Sequence, residues 1–352
     1  MLFGSKAPIG LDIGTGLIKL CRMEEKGGTY ELTAFDMIPL APEVIVDGVV
    51  MDSLRLIDAI KEILRKTKVK AKDVCFAISG HSAVIVKVIT MPEMTEEEIE
   101  ESIGFEAEQY IPFDISDVSI DFQVLGPKEE PGQLDVLLVA AKNDVLNEYV
   151  VVLKEAGLNP VVVDVDHFAL QNIYEVNYEV EPDRMIALAD VGASSIKINI
   201  VRAGASIFAR DIPTGLNSTI ETLQREFDLP YEVADRLLRG EAVEGVEEDT
   251  AAGVITDSFN ELVTEIERSI DYFRGSMTPG LGEITEVVLA GGGALLPQFV
   301  ELVRNAVGID VNVIDPFKNV KISKKLDEDY IRELGPLAAV SMGLAIRRIG
   351  DK

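Results

Sequence analysis

The 352-residue chain has no tryptophan, two cysteines and two histidines. Each scarcity closes off a class of chemistry. Cys21 and Cys75 stand alone in apolar, strand-like runs, with no C-x-x-C and no companion histidine at ligand spacing, so neither a disulfide framework nor a zinc site is supported. Both read as buried thiols. His81 and His167 sit in unrelated contexts, which leaves a Ser-His-Asp or Cys-His nucleophile without support. No apolar run approaches the ~20 residues that cross a bilayer. The start, Met1 to Lys6, lacks the apolar stretch of a secretory signal, so a cytoplasmic protein is expected. Basic residues are scarce as well: 33 against 61 acidic ones give a net charge of −28, which argues against nucleic acid and against direct docking on anionic lipid. The Walker pattern G-x-x-x-x-G-K-[ST] is absent, so any nucleotide would be held by other means.

What the chain does have is an octapeptide in two versions about half the chain apart. These are Asp12-Ile-Gly14-Thr15-Gly16-Leu-Ile18-Lys19 and Asp190-Val-Gly192-Ala193-Ser194-Ser195-Ile196-Lys197. Each follows one apolar run and precedes another, so each reads as strand, glycine turn, strand. Glycine lets backbone N–H groups approach a ligand, and a carboxylate just before the turn holds a metal through water. A single D-x-G step is an ordinary hairpin turn. Two aligned copies with a shared lysine point to a duplicated fold that grips a nucleotide phosphate and its magnesium. A third turn, Gly291-Gly292-Gly293 after the apolar Glu286–Ala290, would open a helix and admit an adenosine there.

The rest of the pattern is α/β. Three strands fill 8–38, with Lys26-Gly-Gly28 as a turn. A helix from Asp52-Ser53 carries Leu54, Ile57, Ile60, Ile63 and Leu64 on one face, and a strand runs from 74 to 78. An inserted β-α-β-β-α module of 82–158 follows, with a capping box at Thr95 and Glu98 and an exposed loop at 126–132. A strand at 160–165 and a helix at 166–177 lead into a second half: three strands to Pro213, helices near 216–227, 231–239 and 256–275, a strand at 286–290, a helix at 298–307, a strand at 310–314 and a closing helix at 336–348.

The three glycine turns in this order resemble the actin-like ATPase superfamily, whose first phosphate loop D-x-G-x-G-x-x-K is matched fully by Asp12 to Lys19. The resemblance implies an actin-like, ribonuclease H-like fold with two lobes around a cleft that holds ATP and Mg2+. The first domain would comprise 1–81 and 159–184, and the second 185–352 with a helical part at about 216–280. By the same resemblance Asp12 and Asp190 would hold water-coordinated magnesium. Gly14, Thr15, Gly16, Lys19, Gly192, Ala193, Ser194 and Ser195 would cradle phosphates, and Gly291, Gly292 and Gly293 would admit the adenosine. Family ATPases orient water with Glu or Gln on the first interdomain helix; the candidate here is Asp166, a residue that equally suits a helix N-cap. Slow or absent turnover is expected. Asp235 stands where an A-E-x-x-K-like helix places the acid that contacts ribose and adenine; Leu238 occupies the position of the usual Lys, for which Arg239 would substitute, although an Asp and an Arg four apart also suit a plain surface helix.

The insert resembles the 1C module of the FtsA-like branch, and within that branch the PilM family of type IV pilus assembly. The stretches that carry the likeness are Glu106-Ala-Glu-Gln-Tyr-Ile111-Pro112-Phe113, Glu265-Ile-Glu-Arg268-Ser-Ile-Asp-Tyr272-Phe-Arg274 and Gly291-Gly-Gly-Ala-Leu-Leu-Pro297. This implies a scaffold at the inner face of the inner membrane that captures the N-terminal tail of PilN between the insert and the first domain. Ile111, Pro112 and Phe113 are either groove lining or core. Other inner-membrane pilus proteins and self-association are further expected contacts. Two other readings are an FtsA-like polymerising membrane anchor and a small-metabolite kinase. The anchor needs a basic amphipathic C-terminal helix, whereas this sequence runs to Arg347-Arg-Ile-Gly-Asp-Lys352; the kinase needs a substrate-binding base in the cleft.

Overall fold

A computed structural model describes residues 7–80, 82–128, 130–276 and 282–351. The start read above for a signal sequence (Met1–Lys6), His81, and Glu129 in the 126–132 loop lie outside the described residues, as does Lys352. The first lobe opens with an antiparallel meander of β1 (Ile9–Ile13), β2 (Leu17–Lys26) and β3 (Thr29–Pro39). A short hairpin of β4 (Ile45–Val46) and β5 (Val49–Val50) follows, then α1 (Ser53–Thr67) and β6 (Asp73–Ile78). Asp52 caps α1 by accepting from the Arg55 N–H, and Leu56, Ile57, Ile60 and Ile63 are its buried residues. Leu54, expected on that face, is 73% exposed, because at 3.6 residues per turn the arc centred on Leu56 and Ile60 leaves it on the flank.

The insert contains β7 (Val84–Pro92), α2 (Glu96–Ala107), β8 (Val118–Pro127), β9 (Gln133–Lys142) and α3 (Asn143–Glu155). Its sheet runs β7-β9-β8, and the Thr95–Glu98 capping box that starts α2 is formed in both directions. Apolar residues of α2 and the sheet, among them Ile99, Ile103, Val136 and Leu138, make a core of their own. Helix α3 does not share it; Val145, Tyr149, Val152 and Leu153 bury beside α1 in the core of the first lobe. Then come β10 (Asn159–Val165) and α4 (Asp166–Asn177), the latter with the bounds expected from the sequence.

The second lobe repeats the meander with β11 (Met185–Val191), β12 (Ile196–Arg202) and β13 (Ala205–Ile212). It continues through α5 (Leu216–Phe227), α6 (Tyr231–Leu238), α7 (Glu248–Ser276), β14 (Ile284–Gly291), α8 (Pro297–Val307) and β15 (Asp310–Val313). Helix α7 begins eight residues before its expected start at 256. Glu248 and Asp249 favour a helix N-terminus, and Ala251 and Ile255 extend the buried face across Gly253, which reads as a breaker. The chain then crosses back. β16 (Val320–Ile322) pairs in parallel with β3 in the first lobe's sheet, and α9 (Glu328–Glu333) leads to α10 (Gly335–Ile346). Sequence division assigns 185–352 to the second lobe, but the strand 320–322 belongs by hydrogen bonding to the first.

The two principal sheets run β10-β6-β1-β2-β3-β16 and β13-β12-β11-β14-β15. Between them lie α4 and α10, whose small residues Ala169, Ala338, Ala339 and Ala345 pack with Cys21, Cys75, Leu188 and Val288 from the facing sheets. Both thiols are buried, as expected, and burial pushes each up to about 12. On the far side of the second sheet, Phe259 of α7 meets Phe299 of α8 edge-on at 5.3 Å, both buried. Phe299→Ala should cost about 3–5 kcal/mol, read as a fall in the denaturant midpoint of unfolding.

Candidate functional site

The twin turns face each other across a cleft between the lobes. In each hairpin the aspartate and lysine are cross-strand partners, Asp12 opposite Lys19 and Asp190 opposite Lys197. Each turn is closed by the same bond: the Gly14 N–H donates to the Leu17 carbonyl at 3.1 Å, and the Gly192 N–H to that of Ser195 at 2.9 Å. The Ser194 hydroxyl crosses the cleft to donate to the Thr15 hydroxyl at 2.8 Å. The Asn217 amide donates to Ser194 Oγ at 3.3 Å and the Tyr231 hydroxyl to Asn217 Oδ1 at 3.0 Å, tying α5 and α6 to the second turn.

Around these turns lies a cavity of about 450 Å³ lined from both lobes, within the usual range for a small-molecule site. Its walls include Asp12, Gly14, Thr15, Gly16, Lys19, Asp166, Asp190, Gly192, Ala193, Ser194, Ser195, Asp235, Arg239, Gly291 and Gly292, which the sequence reading singled out. Gly293 is not on the wall. It is buried behind it, where a Cβ would come within 2.4 Å of the Val191 side chain. The glycine run does not open a helix directly either: Gly293–Leu295 forms one 3-10 turn and α8 starts at Pro297, which supplies no N–H and suits a first helical position. At Gly291 the backbone has φ +78°, and a Cβ would stand 2.3 Å from Asp190 Oδ1. Only glycine lets β14 end so close to that carboxylate.

Asp166 does not cap α4. The cap position is Val165, with no side-chain bond, and the Asp166 carboxylate instead meets Lys197 Nζ at 3.3 Å. Asp235 and Arg239 form a two-bond pair at 2.9 Å each on the cleft wall. Of the residues expected near the insert's groove, Ile111 is buried in the insert's core, Pro112 is exposed, and the Phe113 ring lies 4.1 Å beneath the Lys142 ammonium.

Asp12, Asp166, Asp190 and Asp211 are among the carboxylates that line the cleft, beside the cations Lys19 and Lys197. Lys19 lies 2.8 Å from Asp12 Oδ2. Burial pushes the Asp12 carboxyl above its ordinary range, Lys19 pulls it back, and Asp166 and Asp190 add to the upward push. Burial also works against the Lys19 ammonium, yet Asp12 and Asp190 hold it above the usual lysine value. An unescorted polyphosphate would meet this acid-rich lining at a net cost, whereas a divalent cation would offset it. Among the described residues no three His, Cys, Asp or Glu side chains could hold a metal between them. Asp12 and Asp190, one beside each turn, are the carboxylates that a hydrated Mg2+ would use, since that ion keeps waters and takes one or two carboxylates together with phosphate oxygens.

Several cleft residues escaped the sequence reading. Lys197 was part of the motif but had no role assigned, and Asn217, Tyr231 and Asp211 carry no local signal. Asp47 and Gly48, at φ +49° and +78°, turn the β4–β5 hairpin at the cleft wall. The Asp-Gly pair between apolar couples was the signal available for it.

Asp211 joins the lobes. Its Oδ2 accepts the Gly80 N–H at 3.1 Å, and Oδ1 lies 3.1 Å from His167 Nε2 as an ion pair without hydrogen-bond alignment. Burial disfavours both charges, but Asp211 raises the His167 imidazole above its usual value, while His167 and Lys197 hold the Asp211 carboxyl down at about 2. The contribution of His167 is full below the ordinary imidazole value and lost as pH rises through the raised one. That of Asp211 is present above the ordinary carboxylate value and lost as pH falls towards about 2. The unfolding midpoint should therefore fall as pH climbs from about 6.5, and His167→Gln should flatten that limb in a thermal series.

Comparison with known proteins agrees with this architecture. The family model described as type IV pilus assembly protein PilM matches residues 10–349. In the solved PilM-PilN type IV pilus biogenesis complex, one chain superposes with a TM-score of 0.86 at 30% identity, over 97% of this chain and 98% of that one. The ethanolamine utilization protein EutJ from Carboxydothermus hydrogenoformans has a TM-score of 0.60 at 16% identity, covering 96% of this chain and 89% of its own. MreB5 of Spiroplasma citri bound to AMPPNP has 0.50 at 13%, covering 95% and 93%. The cell division protein FtsA of Streptococcus pneumoniae is 22% identical over 354 residues, 87% of this chain and 75% of FtsA. The likenesses below 25% identity bear on the fold, which is actin-like. With the family model spanning both lobes and the insert, this chain belongs to the PilM family of type IV pilus assembly proteins.

Proposed function

We propose that the chain is an ATP- and Mg2+-binding scaffold of type IV pilus assembly, held at the inner face of the inner membrane by the N-terminal cytoplasmic segment of PilN. The observation that carries the nucleotide reading is the pair of equivalent Asp-Gly turns meeting through the Ser194–Thr15 bond. Phosphates and their cation would lie between Asp12 and Asp190, and Asp235 and Arg239 would face the ribose and adenine. Asp166 is the candidate for orienting water. Its charge is engaged by Lys197, and as an Asp it is a methylene shorter than Glu, so turnover is slow. The partner reading rests on the 30% identity, over 97% of this chain, to a chain solved in a PilM-PilN complex. An extended segment would lie between the insert and the first lobe, where Pro112 and Phe113 are accessible and Ile111 is not.

Titrating a synthetic PilN N-terminal peptide into the protein with Mg-ATP should give saturable heat at micromolar concentration. A flat response up to high micromolar would contradict the partner assignment.

A further inference from the structure

The two equivalent lysines are used differently. Lys19 is committed to its own hairpin, 2.8 Å from Asp12. Lys197 holds the same register opposite Asp190 but lies 3.9 Å from it; it sits nearer Asp166 of α4, at 3.3 Å, and donates to Ser195 Oγ at 3.1 Å. Its ammonium thus spans a first-lobe helix and the second-lobe turn. The side chain is 11% exposed and that exposure faces the cavity. Burial opposes its charge, and Asp166 and Asp190, with Asp211 and Asp12 further off, favour it.

Lys197 has no carboxylate as close as the 2.8 Å partner of Lys19, and a phosphate oxygen offers its ammonium a charge-assisted bond. The direction of the ligand decides which phosphate arrives. From Ser194 a polar chain runs through Asn217 and Tyr231 to α6, where Asp235 and Arg239 stand. The neighbours of Lys197 are instead Asp166, Asp190, Ser195 and Asp211. In a nucleotide whose base points to α6, the phosphate that reaches Lys197 is the terminal one.

We propose that Lys197 is the residue by which this cleft distinguishes a nucleoside triphosphate from a diphosphate, an inference that rests on the nucleotide reading above. A third phosphate draws the ammonium from Asp166, and a diphosphate leaves the Lys197–Asp166 pair in place. The same lysine therefore links the nucleotide's state to the contact between α4 and the second lobe.

Calorimetric titration with AMPPNP and with ADP, each with Mg2+, tests this without turnover. The wild type should prefer AMPPNP about 10- to 100-fold, the worth of one charged hydrogen bond. Lys197→Met should bring the ratio to within about threefold with ADP affinity little changed, and Lys197→Arg should keep the preference. Lys197→Met leaves Asp166 and Asp190 without their cation and could fail to fold. The double variant Asp166→Asn/Lys197→Met removes both sides of the pair and should show the same loss of preference. Discrimination that survives in either folded variant, or a wild type that binds both nucleotides equally, overturns the assignment while the nucleotide reading stands. A wild type that binds neither overturns both.

Discussion

Asp12→Ala should lower the affinity for Mg-ATP about 10- to 100-fold, the scale on which loss of an outer-sphere metal partner is felt. The carboxylate lies at the end of β1, opposite Lys19 across the hairpin and facing the cavity it shares with Asp190. Its removal would withdraw one of the two carboxylates proposed to face the hydrated cation. The variant should thus lose most of its metal dependence: EDTA should weaken ATP binding strongly in the wild type and little in the variant. The change also leaves Lys19 buried without its 2.8 Å partner, and breaking such a pair costs about 3–5 kcal/mol of stability. Asp12→Asn, which keeps the shape and a hydrogen-bond acceptor, therefore belongs in the same series. Fluorescent ATP affinity unchanged in both folded variants would show that the first turn does not hold phosphate and cation.

Gly343→Val should abolish folding or cost more than about 3 kcal/mol, beyond ordinary overpacking. Gly343 is where α10 crosses α4 between the sheets, and a Cβ there would lie 1.7 Å from the Ala169 carbonyl oxygen and 2.5 Å from its carbon. Those are backbone atoms of a helix packed on both faces, so no rotamer change relieves the overlap, and the helices would have to separate. Because α4 also carries Asp166 and His167, separation would dismantle the cleft as well. Gly253→Ala, in α7 with open space around it, is the control: it should stabilise by about 0.5–1 kcal/mol, since only backbone entropy changes. A Gly343→Val protein melting at the wild-type temperature would mean that the two helices are not packed in this way.

Much of this architecture is legible in the sequence because its signals are local. The twin hairpins follow from apolar runs broken by Asp-x-Gly, and helix α2 from its Thr95–Glu98 box. What escapes is non-local or contingent on packing. The three residues of β16, Val320-Lys-Ile322, alternate like a strand but are too short a run to read as one, and they are ordered by pairing with β3, nearly the whole chain earlier. Leu54 and Leu56 are equally apolar, and only the sheet beneath α1 decides which is buried. In the cleft, spacing brings Asp12 opposite Lys19 and Asp190 opposite Lys197. That Lys197 turns to Asp166 follows from where α4 meets the second sheet, which no motif encodes. Gly293 belongs to the same glycine run as Gly291 and Gly292, yet its backbone turns behind the wall, where steric need alone accounts for it.

The most direct test of the duplicated-clasp account is a crystal structure of the protein with AMPPNP and Mg2+ at saturating concentration. The account expects the triphosphate between the Gly14–Gly16 and Gly192–Ser195 turns, with the magnesium waters shared by Asp12 and Asp190 and the base towards α6. An unoccupied cleft at saturation, or a nucleotide bound elsewhere on the molecule, would contradict it.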